Sequence, residues 1–151
     1  SSKRMTRIYL AGPFFSERQI DIIDSVEKAL SKNETITEVY SPRLHQEGTH
    51  EPLTKLWAKD VYELDMEAIR QSDVIVAILD FDGKEVDPGT AYEIGVANML
   101  NKPVVTVKLD CDIAVNIMLT ESATAFFDNP EGLSTYDFKQ CPSIEYTGKY
   151  R

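Results

Sequence analysis

Apolar residues along this chain fall into two rhythms, short unbroken runs and longer stretches spaced three and four apart. Residues 7–11 (Arg-Ile-Tyr-Leu-Ala) predict a short buried strand stopped by Gly12-Pro13. Ser16 with Gln19 three positions on has the capping-box spacing, and Ile20, Ile23, Val26, Ala29 and Leu30 mark one face of a helix ending near Lys32-Asn33. Residues 36–40 predict a second strand. The polar loop 41–52 has no periodicity and holds both histidines, His45 and His50. Loops of that length in compact domains tend to be functional or mobile. From Leu53 the helical period returns through Leu56, Trp57, Val61, Leu64, Ala68 and Ile69, and Asp73 leads into a strand at 74–79. After an acidic loop, 80–86, Asp87 is a good N-cap and Pro88 suits the first position of a helix that runs through Val96, Ala97, Met99 and Leu100. Residues 103–109 predict another strand, 112–119 a turn and a short helix starting near Val115, and 123–127 a last strand. The tail from Asn129, rich in Pro, Gly and Tyr, is expected to be mostly irregular.

Strands alternating with helices imply a three-layer α/β domain with a mainly parallel five-stranded sheet. A flavodoxin-like order, 2-1-3-4-5, sets the first and third strands side by side, so that their carboxyl ends meet at the switch point where ligands bind in such sheets. The loop Gly12-Pro13-Phe14-Phe15 and the segment 87–93 are then expected in one pocket. Residues 1–6 read as an N-terminal extension or cloning remnant, and 7–151 as a single domain.

Composition narrows the partners. Hydrophobic content of 42% and charged content of 27% are ordinary for a soluble globular protein. The net charge of −9 argues against a nucleic-acid backbone or an anionic membrane as the main partner. Cys111 and Cys141 have no metal or redox spacing, which fits a reducing, cytoplasmic setting. No apolar run approaches the roughly 18 residues of a membrane span.

The stretch with most chemistry is Asp87-Pro88-Gly89-Thr90-Ala91-Tyr92-Glu93-Ile94-Gly95. Gly89 and Gly95 let backbone or ligand come close. Glu93 falls in the first turns of a helix just past a strand, where the helix dipole favours the ionised carboxylate that a nucleophile needs. A solvated surface glutamate is the bland alternative, but Ala91, Ile94, Gly95, Ala97 and Asn98 leave little charged surface around it. Tyr9 is placed to donate its hydroxyl to Glu93 if the first and third strands adjoin. Asp87 serves as a cap, a role compatible with ligand contact. Asp65 shares a helix face with Val61, Ala68 and Ile69, and an aspartate on an apolar edge usually has a partner or a ligand. Trp57 reads as core or as a stacking platform. Phe14 and Phe15, bulky residues directly after a strand, suggest a pocket wall for a planar ring. Neither a G-x-G-x-x-G after the first strand nor a G-x-x-x-x-G-K-[ST] is present. His45 and His50 lack supporting ligands at diagnostic spacing, so neither a metal nor a cofactor is expected.

The chain resembles the nucleoside 2-deoxyribosyltransferases. The likeness rests on Ile8-Tyr9-Leu10-Ala11-Gly12-Pro13-Phe14-Phe15 with Gln19 following, and on Trp57, Tyr62 and Asp65. It continues in Asp87-x5-Glu93-Ile94-Gly95, Val115-Asn116-Ile117-Met118 and the tail ending Tyr150-Arg151. The resemblance implies exchange of the base of a 2′-deoxyribonucleoside with overall retention. Glu93 is the nucleophile that forms a deoxyribosyl ester, and Tyr9 orients it. Asp65 and Asp87 hold the base, and one of them protonates its leaving nitrogen. Gly12, Phe14, Phe15, Trp57, Gly89 and Met118 join the substrate-binding set. Asn116 and the tail at Tyr150 resemble groups that reach a neighbouring subunit's site, which implies a homo-oligomer of dimer pairs, hexameric in relatives. The family usually ends on the aromatic residue; here Arg151 follows Tyr150.

Two other functions fit the same fold. A 2′-deoxynucleoside 5′-monophosphate N-glycosidase would share the glutamate, but such hydrolases carry a serine six residues before it, where this chain has Asp87. A carboxylate there repels a phosphate, like charges at ~4 Å costing about 4 kcal/mol at an effective dielectric near 20. A non-catalytic nucleotide-sensing module is the other alternative.

Overall fold

The computed structural model describes residues 5–151, so the first four positions of the expected N-terminal extension lie outside the described residues. Five strands, β1 (Arg7–Ala11), β2 (Glu38–Tyr40), β3 (Val74–Ile78), β4 (Val104–Val107) and β5 (Ala125–Phe127), form one sheet in the order β2-β1-β3-β4-β5. Every pairing is parallel. The expected 2-1-3-4-5 order is therefore the observed one. The helices are α1 (Glu17–Ser31), α2 (Lys55–Gln71), α3 (Pro88–Met99) and the short α4 (Ile117–Glu121).

Strand alternation divides the core into two layers. Ile8, Leu10, Val74, Val76 and Ile78 face α1, packing with Ile23, Val26 and Leu30. Tyr9, Ala11, Ile75, Ala77 and Leu79 face the other way, against Met66 and Ile69 of α2 and Ile94 and Ala97 of α3. Every residue of β3 is buried, which is why its sequence reads as an unbroken apolar run. Among the described residues no helix is long and apolar enough to cross a membrane.

Several element boundaries differ from the sequence expectation. The second strand begins at Glu38 rather than 36, because Ile36 still belongs to the turn that leaves α1. Leu53 stands outside α2 with φ 66°; Thr54 is the N-cap, its hydroxyl accepting the Trp57 N–H at 3.3 Å. The last short helix starts at Ile117, not Val115, because Asn116 is its cap and Val115 is paired with the tail.

The tail is mostly irregular, as its composition implies, yet it packs against the rest of the domain. Residues 130–134 form a 3-10 turn, and Leu133, Tyr136 and Phe138 are buried against α1. Asn33, just past α1, donates from Nδ2 to the carbonyls of Leu133 and Tyr136, both at 2.7 Å. Ile144 bridges Ala125 and so covers part of the β5 edge that would otherwise present unpaired backbone groups, while Tyr150 bridges Val115.

Candidate active site

β1 and β3 pair with Tyr9 opposite Ile75, and their carboxyl ends open into a cleft of about 740 Å³. Three segments converge there. The turn after β1 contributes Gly12, Phe14 and Phe15. α2 contributes Trp57, Val61, Tyr62, Asp65 and Met66, whose spacing of three and four residues puts them on one stripe of that helix. The start of α3 contributes Asp87, Gly89, Tyr92 and Glu93, of which Gly89, Tyr92 and Glu93 share a face for the same reason.

The start of α3 is built as its sequence predicts. Asp87 Oδ2 accepts the Thr90 N–H at 2.9 Å and the Thr90 hydroxyl at 3.1 Å, and Pro88 opens the helix. Gly89 lies so near the cap that a Cβ would sit 3.2 Å from Asp87 Oδ2. Gly95, by contrast, faces open space, so no close approach explains it.

Glu93 occupies the inner end of the cleft. The Tyr9 hydroxyl, fully buried at the second layer of the sheet, donates to Glu93 Oε2. Burial pushes the Glu93 carboxyl up to about 8, the Tyr9 hydrogen bond opposing this and the charges of Asp65 and Asp87 adding to it. Desolvation thus works against the ionised form that the helix dipole was expected to favour. Glu93 is the sixth residue of α3, beyond the first turn where the dipole acts, and desolvation outweighs it. Asp65 is likewise pushed up, to about 6, by burial, with the Tyr9 hydroxyl partly offsetting the shift. Tyr9 itself is driven well above the ordinary tyrosine range by burial and then by the charges of Glu93 and Asp65, so it remains a donor at any working pH. The phenol donates to Glu93, and burial has raised the proton affinities of Glu93 and Asp65 by different amounts.

The remaining walls are aromatic. Phe14 stacks on Phe15 with ring centroids 6.0 Å apart, and Phe15 meets Phe81 edge-on at 6.4 Å. At the mouth the Tyr62 and Tyr92 hydroxyls hydrogen-bond to each other at 2.9 Å. Gln46, Leu53 and Tyr92 line the cleft without having been singled out from sequence. Helical spacing from Gly89 and Glu93 carried the signal for Tyr92; Gln46 and Leu53 sit in irregular chain and had none. Asn116, Met118 and Tyr150 do not line this cleft. Asn116 and Met118 border a separate groove with Lys84, Glu85 and Arg151, and Tyr150 borders another beside β5. His50 pairs with Asp60 at 2.5 Å, and His45 stacks on Tyr40. Among the described residues no cluster of three metal-ligating side chains occurs.

Residues 8–139 match the sequence profile of nucleoside 2-deoxyribosyltransferases, a span that includes Tyr9, Asp65, Asp87 and Glu93. The chain belongs to the nucleoside 2-deoxyribosyltransferase family. A nucleoside deoxyribosyltransferase of Limosilactobacillus fermentum is 30% identical over 145 residues, covering 88% of this chain and 85% of the relative. Among solved structures, the 2-deoxyribosyltransferase of Bacillus psychrosaccharolyticus is 33% identical with a TM-score of 0.83, covering 94% of this chain and all of that one. A 2-deoxyribosyltransferase from Leishmania mexicana is 27% identical with a TM-score of 0.65, covering 85% of this chain and 93% of its own.

Proposed function

We propose that the protein is a cytoplasmic nucleoside 2-deoxyribosyltransferase that exchanges the base of a 2′-deoxyribonucleoside by two displacements at carbon 1. The observation that carries this reading is the hydrogen bond from Tyr9 to Glu93 at the inner end of an aromatic-walled cleft. In the first displacement a Glu93 oxygen attacks carbon 1, the bond to the base breaks, and a proton reaches the leaving nitrogen. Asp65, held up near 6, supplies that proton; Asp87 holds the base while its Oδ2 remains committed to the helix cap. In the second displacement another base attacks from the vacated face and the carboxylate leaves. Two inversions give net retention. The transition state is oxocarbenium-like, so an ionised Glu93 close beneath the ring stabilises it directly. The cation that develops there also favours the ionised form that burial opposes.

Phe14, Phe15 and Trp57 wall the base and limit water, with Gly12 and Gly89 admitting the ring between the two loops. Asn116, Met118 and Tyr150, which do not line this chain's own cleft, serve a neighbouring subunit's site in a homo-oligomer. The test is base exchange. Deoxyinosine with free adenine is expected to yield deoxyadenosine, and Glu93→Ala to lose exchange by ~10³-fold or more. A slow 2-fluoro-substituted substrate is expected to leave the mass increment of the 2-fluoro-deoxyribosyl group on Glu93. Cleavage of deoxynucleoside monophosphate alone, with no exchange, would identify a hydrolase instead.

A further inference from the structure

Gln19 stands outside the cleft, yet its side chain bonds both to the turn that carries the Phe14-Phe15 wall and to the 80–86 loop that leads into Asp87. The capping-box spacing predicts that this side chain folds back onto Ser16. It reaches one residue further. Gln19 Oε1 accepts the Phe15 N–H at 2.8 Å, and Gln19 Nε2 donates to Asp82 Oδ1 at 3.0 Å. The Ser16 hydroxyl still caps the Gln19 N–H at 3.2 Å, so the first turn of α1 fixes where the amide begins. Gln19 is 5% exposed, whereas the Phe15 ring it restrains is 73% exposed and has little packing of its own to hold it. Phe81, next to Asp82, makes the edge contact with Phe15. The same loop then delivers Asp87 to the start of α3.

We infer that Gln19 is a positioning residue whose carboxamide clasps the Phe14-Phe15 wall to the 80–86 loop and so sets how the deoxyribosyl group divides between an incoming base and water. The part about division rests on the transferase reading. Only a carboxamide meets both loops at once, since one end must accept and the other donate. A glutamate would keep the acceptor for Phe15 and set two negative charges against each other at Asp82. With the clasp open, the aromatic wall loses its tether and water gains access to the ester. Water oxygen then bonds to carbon 1, the bond from carbon 1 to the Glu93 oxygen breaks, and the water proton passes to a cleft carboxylate, releasing free deoxyribose. Small displacements of groups that exclude water or align reactants carry large rate effects.

The experiment compares wild type with Asp82→Ala, Gln19→Glu and Asp82→Asn; the last keeps an acceptor oxygen for Gln19. Amide exchange by NMR on the free protein reads the clasp itself. Asp82→Ala touches no atom of Phe15, yet it is expected to speed exchange of the Phe15 N–H on the order of ten-fold, with Asp82→Asn near wild type. Unchanged Phe15 protection in Asp82→Ala, or equal loss in Asp82→Asn, overturns the clasp. In the deoxyinosine and adenine assay, Asp82→Ala and Gln19→Glu are expected to raise the ratio of free deoxyribose to deoxyadenosine by about ten-fold, Asp82→Asn leaving it unchanged. Lower activity at a constant ratio means a merely structural role and overturns the positioning claim. A wild type that makes no deoxyadenosine ends the transferase reading and the division claim with it, while the amide exchange still decides the clasp.

Discussion

Tyr9 and Glu93 lie 84 positions apart, and the hydroxyl of one donates to the carboxylate Oε2 of the other. The contact exists because β1 runs beside β3 and Tyr9 points to the face on which α3 packs. The phenol is fully buried, so it holds the orientation of Glu93 and partly offsets the rise in proton affinity that burial causes.

Tyr9→Phe keeps the buried ring and removes the donor. Base exchange is expected to fall about ten- to hundred-fold in kcat. The Tyr9 bond lowers the Glu93 pKa, so its loss moves the Glu93 titration to higher pH. Steady-state rates across a pH series check both effects, and an unchanged profile contradicts the role given to Tyr9.

The wild-type profile follows from the two raised carboxyls. Reaction needs Glu93 ionised and Asp65 protonated, with titrations near 8 and 6. Below about 6 the ionised fraction of Glu93 grows with pH; between the two values that gain is offset by loss of protonated Asp65; above 8 only the loss remains. kcat/KM is therefore expected to rise, flatten and fall, with the productive form always a minority. Asp65→Asn should remove the falling limb. Its single rising limb should also lie below 8, because the Asp65 charge no longer opposes ionisation of Glu93. A retained bell in Asp65→Asn assigns the acid elsewhere.

Glu93 also links stability to pH. Its folded value, about 8, stands above the ordinary 4.5, so folding favours the protonated carboxyl. That contribution is complete below 4.5 and is lost as pH rises through 8. Glu93→Gln keeps the neutral form at every pH. Its Tm should match wild type near pH 4 and exceed it by several degrees at pH 9. Parallel melting curves over that range would show that burial does not penalise the charge.

Asp87 carries two roles that separate by substitution. Asp87→Ala loses the bonds to Thr90 and is expected to cost about 1 kcal/mol of stability. Asp87→Asn retains an acceptor for the cap and should denature like wild type, while its KM for deoxynucleoside rises because the charge facing the base is gone. Urea unfolding beside substrate titration reads the two roles apart; identical losses in both variants leave only the cap.

Legibility in the sequence followed local physics. The unbroken run in β3, the helical stripe through Trp57, Val61 and Asp65, and the Asp87-Pro88 helix start each announce themselves because burial and capping act over a few neighbouring residues. The Asn129 tail is mostly irregular, as its composition implies, but where it packs was not legible for the same reason. Its Pro and Gly content describes a chain without regular hydrogen bonding, and nothing local shows that Leu133, Tyr136 and Phe138 find a core made by α1. Gln19 read as a simple capping-box partner, since its contact with Asp82 spans 63 positions.

The sequence by itself determined the alternation of strands and helices, the helix start that carries Glu93, and the family to which those residues point. The tertiary structure decided which side chains meet, and above all the protonation of the cleft. Proton affinity depends on how much water folding removes from a carboxyl and on which charges it brings near. Residues adjacent in sequence do not set either quantity, so the dipole at the start of α3 could not reveal the desolvation that raises the proton affinity of Glu93.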